Sequence, residues 1–210
     1  MRRVKLKVLW VGLSLLMACQ TFQSGSVGSE GLGPIGEQAL KARDQGLHDK
    51  AYGLFSSACL ENDQMACTYL GTYEWERGRH EQAKQYYDRP CNQEGIYHAC
   101  YGLGAVEFIQ GNQIAARNYF KVACETEHMM TGISCYNFGA MALNAGQHQL
   151  AKDTFGRGCH FNSIESCTSA GIIEMDDGNT ALAREYLQKA CLGKNPMACE
   201  NLADLPKLSH

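Results

Sequence analysis

The sequence predicts an all-α protein, a stack of five helix-turn-helix repeats closed by a C-terminal capping helix. Two observations carry this. First, ten of the 11 cysteines, at positions 59, 67, 91, 100, 124, 135, 159, 167, 191 and 199, fall into close pairs that recur every 32 to 35 residues. A fixed period of that size marks stacked helical hairpins. Second, other residue columns keep the same register. Ala51, Ala83, Ala116, Ala151 and Ala183 stand eight places before the first cysteine of each pair, and Phe55, Tyr87, Phe120, Phe155 and Leu187 four places before it. Leu70, Leu103, Phe138, Ala170 and Leu202 follow the second cysteine by three places, with Gly71, Gly104, Gly139, Gly171 and then Ala203 next to them. Gly78, Gly111, Gly146 and Gly178 follow it by eleven.

Each column has a physical reason. An alanine and an aromatic four apart share one helix face; the small residue admits a neighbouring helix and the ring fills the space beside it. A mid-helix glycine such as Gly71 costs about 1 kcal/mol against alanine, which close helix packing would offset. Gly78 falls where that helix should stop, a favoured place for left-handed backbone. Each repeat is therefore helix A, a tight glycine turn and helix B. The predicted spans are 35–46 with 48–61, 64–77 with 80–92, 97–110 with 113–125, 132–145 with 148–160, and 164–177 with 180–192. A last helix over 195–205 has no partner and caps the stack.

The close cysteine pairs then lie at the seams. Cys59 ends helix B of one repeat and Cys67 begins helix A of the next. A bond there would staple consecutive repeats, and the repeat favours the same local bond every time: Cys59–Cys67, Cys91–Cys100, Cys124–Cys135, Cys159–Cys167 and Cys191–Cys199. Zinc is the rival reading of so many thiols. No two of these cysteines have Cx2C spacing, and the uniform Cx7C to Cx10C spacing suits bridges better, so no metal and no cofactor is expected.

The N-terminus reads as a targeting segment. Arg2, Arg3, Lys5 and Lys7 precede a short apolar run, Val8 to Met17, which is shorter than the roughly 20 residues needed to span a bilayer. Its end, Leu16-Met17-Ala18-Cys19, resembles the lipobox of bacterial lipoproteins. The resemblance implies a signal peptide over 1–18, cleavage before Cys19 and acylation of that thiol. Gln20 is not the aspartate that retains such proteins at the inner membrane, so the outer membrane is the expected location, with the domain facing the periplasm. A secretory route leads to compartments where disulfides persist. Residues 19–34 are rich in Gly and Ser and read as a flexible tether; 35–205 is the repeat domain and 206–210 a short tail. Loss of the signal moves the formal charge from −3 to about −7, which argues against nucleic acid as a partner.

The segment "ACTYLGTYEWERGRHEQAKQYYDRPC", Ala66 to Cys91, resembles the Sel-one-like branch of the tetratricopeptide superfamily. Leu70-Gly71 stands where that family has Leu-Gly on helix A, and Ala83 and Tyr87 where it has an alanine and an aromatic on helix B. The inter-repeat cysteine pairs match its secreted, cysteine-rich members, and the resemblance covers about residues 35–205. It implies a right-handed α-solenoid whose concave wall is lined by A helices. Two departures are visible. The extra residues usual in the A–B turn are missing, and Glu74, Glu107 and Glu174, with Ala142 in the fourth repeat, replace the aromatic expected there. Such a carboxylate column is read first as half-exposed helix residues bonding a neighbouring helix, and second as a site.

By the same analogy, Thr68, Tyr101, Tyr136 and Thr168 should face the groove. Trp75, Phe108, Leu143 with Asn144, and Met175 with Asp176 follow one or two turns on. Exposed aromatics on a concave wall suit capture of a protein or peptide. The alternative for Phe108, Leu143 and Met175 is packing between helices. Catalytic signatures are lacking: there is no HExxH, no G-x-S-x-G and no Ser-x-x-Lys. His48, His80, His98, His128, His148, His160 and His210 share no repeat column. The expected protein is thus a lipid-anchored periplasmic scaffold, an adaptor or assembly factor that binds a protein or peptide, and not an enzyme. Some secreted relatives in the resembled family are described as penicillin-binding proteins or weak β-lactamases, and binding to peptidoglycan through Trp75, Tyr101 and Tyr136 is a further alternative.

Overall fold

The computed structural model of the chain describes residues 31–126 and 131–206. The signal peptide, Cys19, most of the tether, His128 and His210 lie outside the described residues. Those residues form eleven helices: α1 (Pro34–Asp44), α2 (His48–Leu60), α3 (Gln64–Glu76), α4 (His80–Asn92), α5 (Tyr97–Ile109), α6 (Gln113–Glu125), α7 (Thr131–Asn144), α8 (His148–His160), α9 (Ile164–Asp176), α10 (Thr180–Leu192) and α11 (Pro196–Asp204). No boundary differs from its sequence-based span by more than two residues. The fold is an all-α solenoid of five helix-turn-helix repeats with a closing helix. It falls into two compact units, whose described parts are residues 31–123 and residues 124–126 with 131–206.

In the first unit α1 to α5 each pack against their chain neighbours, and the A helices α3 and α5 also touch each other. The column residues explain the packing. The Tyr87 ring of α4 is wedged between Gly71 on α3 and Gly102 on α5; a Cβ built on either glycine would lie 2.5 Å from the ring. Phe120 sits on Gly104 in the same way. The glycine that looked costly in α3 is thus the socket for an aromatic knob. Phe55 stacks on Tyr69 with ring centroids 4.5 Å apart, inside a core cluster with Ala39, Ala51 and Leu70. The second unit repeats the plan. Phe155 packs on Gly139 and Leu187 on Gly171, and Leu205 of the C-terminal segment closes a cluster with Leu187, Ala190 and Ala198.

Two kinds of turn alternate. Within a repeat, helix A ends on left-handed backbone at Gly46, Gly78, Gly111, Gly146 or Gly178, with φ between 72° and 82°. Between repeats, the left-handed residue is Asn62, Gly95, Asn162 or Lys194. Asparagine tolerates that conformation because its short amide bonds locally. Five disulfides close these inter-repeat seams: Cys59–Cys67, Cys91–Cys100, Cys124–Cys135, Cys159–Cys167 and Cys191–Cys199.

Candidate functional site

The carboxylate column occupies the end of helix A in three repeats and is buried: Glu74 is 2 % exposed, Glu107 5 % and Glu174 3 %. Each carboxylate meets partners from two directions. The first lies five residues on, past the glycine turn. Arg79 Nε is 3.2 Å from Glu74, Asn112 Nδ2 donates to Glu107 at 2.7 Å, and Asn179 Nδ2 donates to Glu174 at 2.6 Å. The backbone N–H of the same residue donates to the carbonyl of the same glutamate in all three cases, so the turn is latched twice.

The second partner comes from helix B of the preceding repeat, always one place after its column alanine. Lys84 Nζ lies 2.6 Å from Glu107, and Lys152 Nζ lies 2.9 Å from Glu174 and 2.8 Å from Asp177. Tyr52 occupies this position opposite Glu74; its phenol is pushed up to about 12, first by burial and then by the carboxylate it faces. Arg77 adds a cation over the Tyr52 ring at 4.9 Å. Burial opposes ionisation of Glu107, yet hydrogen bonds from Lys84 and Asn112 outweigh it and hold the carboxyl below its ordinary value. The Lys84 hydrogen bond to Glu107 correspondingly raises the lysine. Every buried carboxylate is therefore engaged within the fold. At Glu107 and Glu174 an ion pair ties repeat to repeat, while at Glu74 the neighbour from the preceding repeat is the neutral Tyr52 and the ion pairs are with Arg77 and Arg79 of its own repeat.

The residues expected to line the groove separate into two groups. Thr68 is 0 % and Tyr101 1 % exposed, which corrects the expectation that they present an open wall. The Thr68 hydroxyl donates to the Gln64 carbonyl, and the Tyr101 ring packs against Phe120 at 5.7 Å. Thr168 repeats the first arrangement, donating to the Ile164 carbonyl. Tyr136 is also buried, with its ring 6.0 Å from Phe155. The other group lies one place after the carboxylate column: Trp75, Phe108, Leu143 and Met175 are all half-buried. Trp75 tilts against His80 at 4.9 Å and keeps part of its surface. Beside them, Glu76, Ile109, Asn144 and Asp176 are exposed. The Asp176 carboxyl is raised, by burial first and then by Asp177. Helix A thus carries one half-buried apolar residue near its C-terminal end, at the same register in four of the repeats, two in each unit.

Sequence reasoning missed a cation column at the seams. Two places before the first cysteine, Arg89 donates to Asn62 Oδ1 at 2.8 Å, Arg157 Nε to the Cys124 carbonyl at 2.9 Å, and Lys189 Nζ to the Cys159 carbonyl at 2.7 Å. Arg157 and Lys189 reach back to carbonyls in the last turn of the previous B helix, where the dipole is negative, and Arg89 reaches the turn residue just beyond it. It also missed the caps: Asp63, Ser163 and Asn195 each accept from the backbone N–H three residues on. Their signal was present, as polar residues directly following the left-handed position.

Among the described residues, no group of three or more His, Cys, Asp or Glu side chains could hold a metal ion, and no helix is long and apolar enough to cross a membrane.

The architecture is that of a tetratricopeptide-like helical repeat. Solved structures with the same fold include MamA, at 19 % identity and TM-score 0.55 over 79 % of this chain and 96 % of that one. PilF of Pseudomonas aeruginosa matches at 14 % identity and TM-score 0.60, over 86 % and 78 % of the two chains. YrrB, described as a tetratricopeptide-repeat protein with an unusual peptide-binding site, matches at 17 % identity and TM-score 0.55 over 91 % and 98 %. The Cut9–Hcn1 complex also matches, but this chain spans only 34 % of the length of its matched chain. No family model matches the chain, and no curated protein does.

Proposed function

We propose that the chain is a lipid-anchored periplasmic scaffold that captures a protein or peptide partner, as an adaptor or envelope-assembly factor. The observation that carries this reading is a half-buried apolar residue at one register position of helix A in four repeats: Trp75 and Phe108 in the first unit, Leu143 and Met175 in the second. A tryptophan and a phenylalanine that keep exposed surface on a rigid scaffold provide contact area at little entropic cost. The peptide-binding site named for YrrB supports a repeat of this kind as a peptide holder. The lipobox-like end at Cys19 and the oxidised seams support an exported, membrane-tethered location.

The reading is tested by photo-crosslinking from a probe residue placed at the exposed Ile109 in intact cells, followed by purification of the adducts. A discrete protein adduct that disappears in a Trp75→Ala/Phe108→Ala variant is expected. Adducts that are absent, or indifferent to that variant, would sink the proposal. Tethering is checked separately: a Cys19→Ala variant should lose fatty-acid labelling and leave the membrane fraction.

A further inference from the structure

The ten cysteines of the repeats pair strictly in chain order, each with its immediate neighbour. The partners are 8, 9, 11, 8 and 8 positions apart. The intervals between bonds do not vary at all: Cys67 to Cys91, Cys100 to Cys124, Cys135 to Cys159 and Cys167 to Cys191 are each 24 positions. All length variation is thus confined to the seams, and the nearest wrong partner always lies across a complete hairpin. Loop-closure entropy grows as (3/2)RT ln n, so the near partner is favoured about three- to five-fold in an unstructured chain.

The seam itself strengthens that preference. Asn62, Gly95, Asn162 and Lys194 reverse the chain on left-handed backbone. The following N–H groups of Asp63, Ile96, Ser163 and Asn195 return to the carbonyls of Ala58, Pro90, Gly158 and Ala190. Asp63, Ser163 and Asn195 then cap the next helix. All these contacts span only three to six residues, so they form without the stacking of repeats.

We propose that this chain matures through a dithiol-oxidising reaction alone and needs no disulfide-isomerising one. The co-reactant is a disulfide-bearing oxidant. One cysteine thiolate attacks a sulfur of that disulfide, forms a mixed disulfide and expels a thiolate of the oxidant. The neighbouring cysteine thiolate then attacks its partner's sulfur, closes the seam and expels the oxidant's second thiolate. Two electrons pass to the oxidant for each bond, and the two protons lost from the cysteines end on the oxidant's thiols or in solvent. Cys19 is the one cysteine without a neighbour in this scheme; on the lipoprotein reading its sulfur is acylated and cannot attack.

The test uses the full chain in detergent, reduced in denaturant and diluted into oxidised glutathione with and without a disulfide isomerase. Free thiols are trapped at intervals and bonds are mapped by non-reducing proteolysis. The five neighbouring pairs should dominate from the earliest bonded species, with a final yield that the isomerase does not change. Early dominance of cross-hairpin bonds such as Cys67–Cys91, or a several-fold gain with isomerase, would overturn the proposal. An Asn62→Val variant isolates the turn: closure of Cys59–Cys67 should slow about five-fold relative to Cys159–Cys167, the factor for roughly 1 kcal/mol of left-handed strain. An unchanged ratio would remove the turn from the argument. The readout is connectivity, so it stands apart from whether a partner is captured.

Discussion

Two neighbouring seams of the first unit solve one problem with different means. At Cys59–Cys67, the left-handed residue is Asn62, whose side chain accepts from Arg89 of the next B helix. Asp63 caps α3 with one carboxylate oxygen and accepts from the Gly33 N–H at 2.8 Å with the other, which ties in the start of α1. At Cys91–Cys100, the left-handed residue is Gly95 and the N-cap is Ile96, which has no side-chain acceptor. The cation column there holds Val122, which is 42 % exposed. The two bonds enclose nearly equal lengths of chain, with partners 8 and 9 positions apart, so the disulfides themselves contribute alike. The difference teaches that the seam at 59–67 is closed by a disulfide and a polar network together, while the seam at 91–100 leans on its disulfide and on the packing of Tyr87.

That packing is where the largest effect is expected. Tyr87→Ala removes the ring held between Gly71 and Gly102 and should cost about 3–5 kcal/mol, read as a shift in the denaturant midpoint of the intact, oxidised protein. A loss below about 1 kcal/mol would show that the glycine sockets collapse without penalty, and the account of the repeat core would fail.

The bridges come next. Cys59→Ala/Cys67→Ala and Cys91→Ala/Cys100→Ala should each lower stability by about 2–3 kcal/mol on the entropic model. Their local consequences should differ. Amide exchange at the start of α5 should accelerate more in the second variant than exchange at the start of α3 does in the first, by a margin of about 1 kcal/mol, the value of one good cap. Equal acceleration would erase the distinction between the seams.

The latch between Lys84 and Glu107 gives a smaller, pH-dependent effect. Lys84→Met should cost about 1 kcal/mol near neutrality, because the lysine is partly exposed and solvent screens the pair. Glu107 is held below its ordinary value, so its contribution is complete above the ordinary carboxylate range and is lost as the pH falls through the lowered folded value. Lys84 is raised, so its contribution is complete below the ordinary lysine value and is lost as the pH rises through the raised one. Stability measured against pH should therefore flatten at both ends in the variant. An unaltered profile would remove the latch from the account.

The smallest changes sharpen the comparison directly. Asp63→Ala should cost about 1 kcal/mol, and Ile96→Asp should gain about 0.5–1 kcal/mol by supplying the missing acceptor. Together the two substitutions should bring the exchange rates of the two seams towards each other.

Much of this architecture was legible in the chain. Helix order, glycine turns and disulfide partners follow from columns that recur along one dimension, since each repeat contacts mainly its neighbours and solves the same packing problem. The candidate site was read less well. Trp75, Phe108, Leu143 and Met175 keep surface, yet Thr68 and Tyr101 are enclosed. A helix position tells which face a residue occupies, and not how closely the next element covers it. The cation column at Arg89, Arg157 and Lys189 was missed for a related reason: its acceptors lie 27 to 33 residues earlier in the chain.

By itself, then, the sequence determined what is local and periodic: the hairpin, its turn, and the cysteine that finds its neighbour 8 to 11 residues away. Those features depend on backbone preferences and short loops, which any stretch of chain carries within itself. Only the tertiary structure decided that Glu107 meets Lys84, that Glu174 meets Lys152, and that the tyrosine beside each of two cysteines turns inward. Those outcomes depend on how one repeat lies against the next, and burial is a property of the neighbours as much as of the residue.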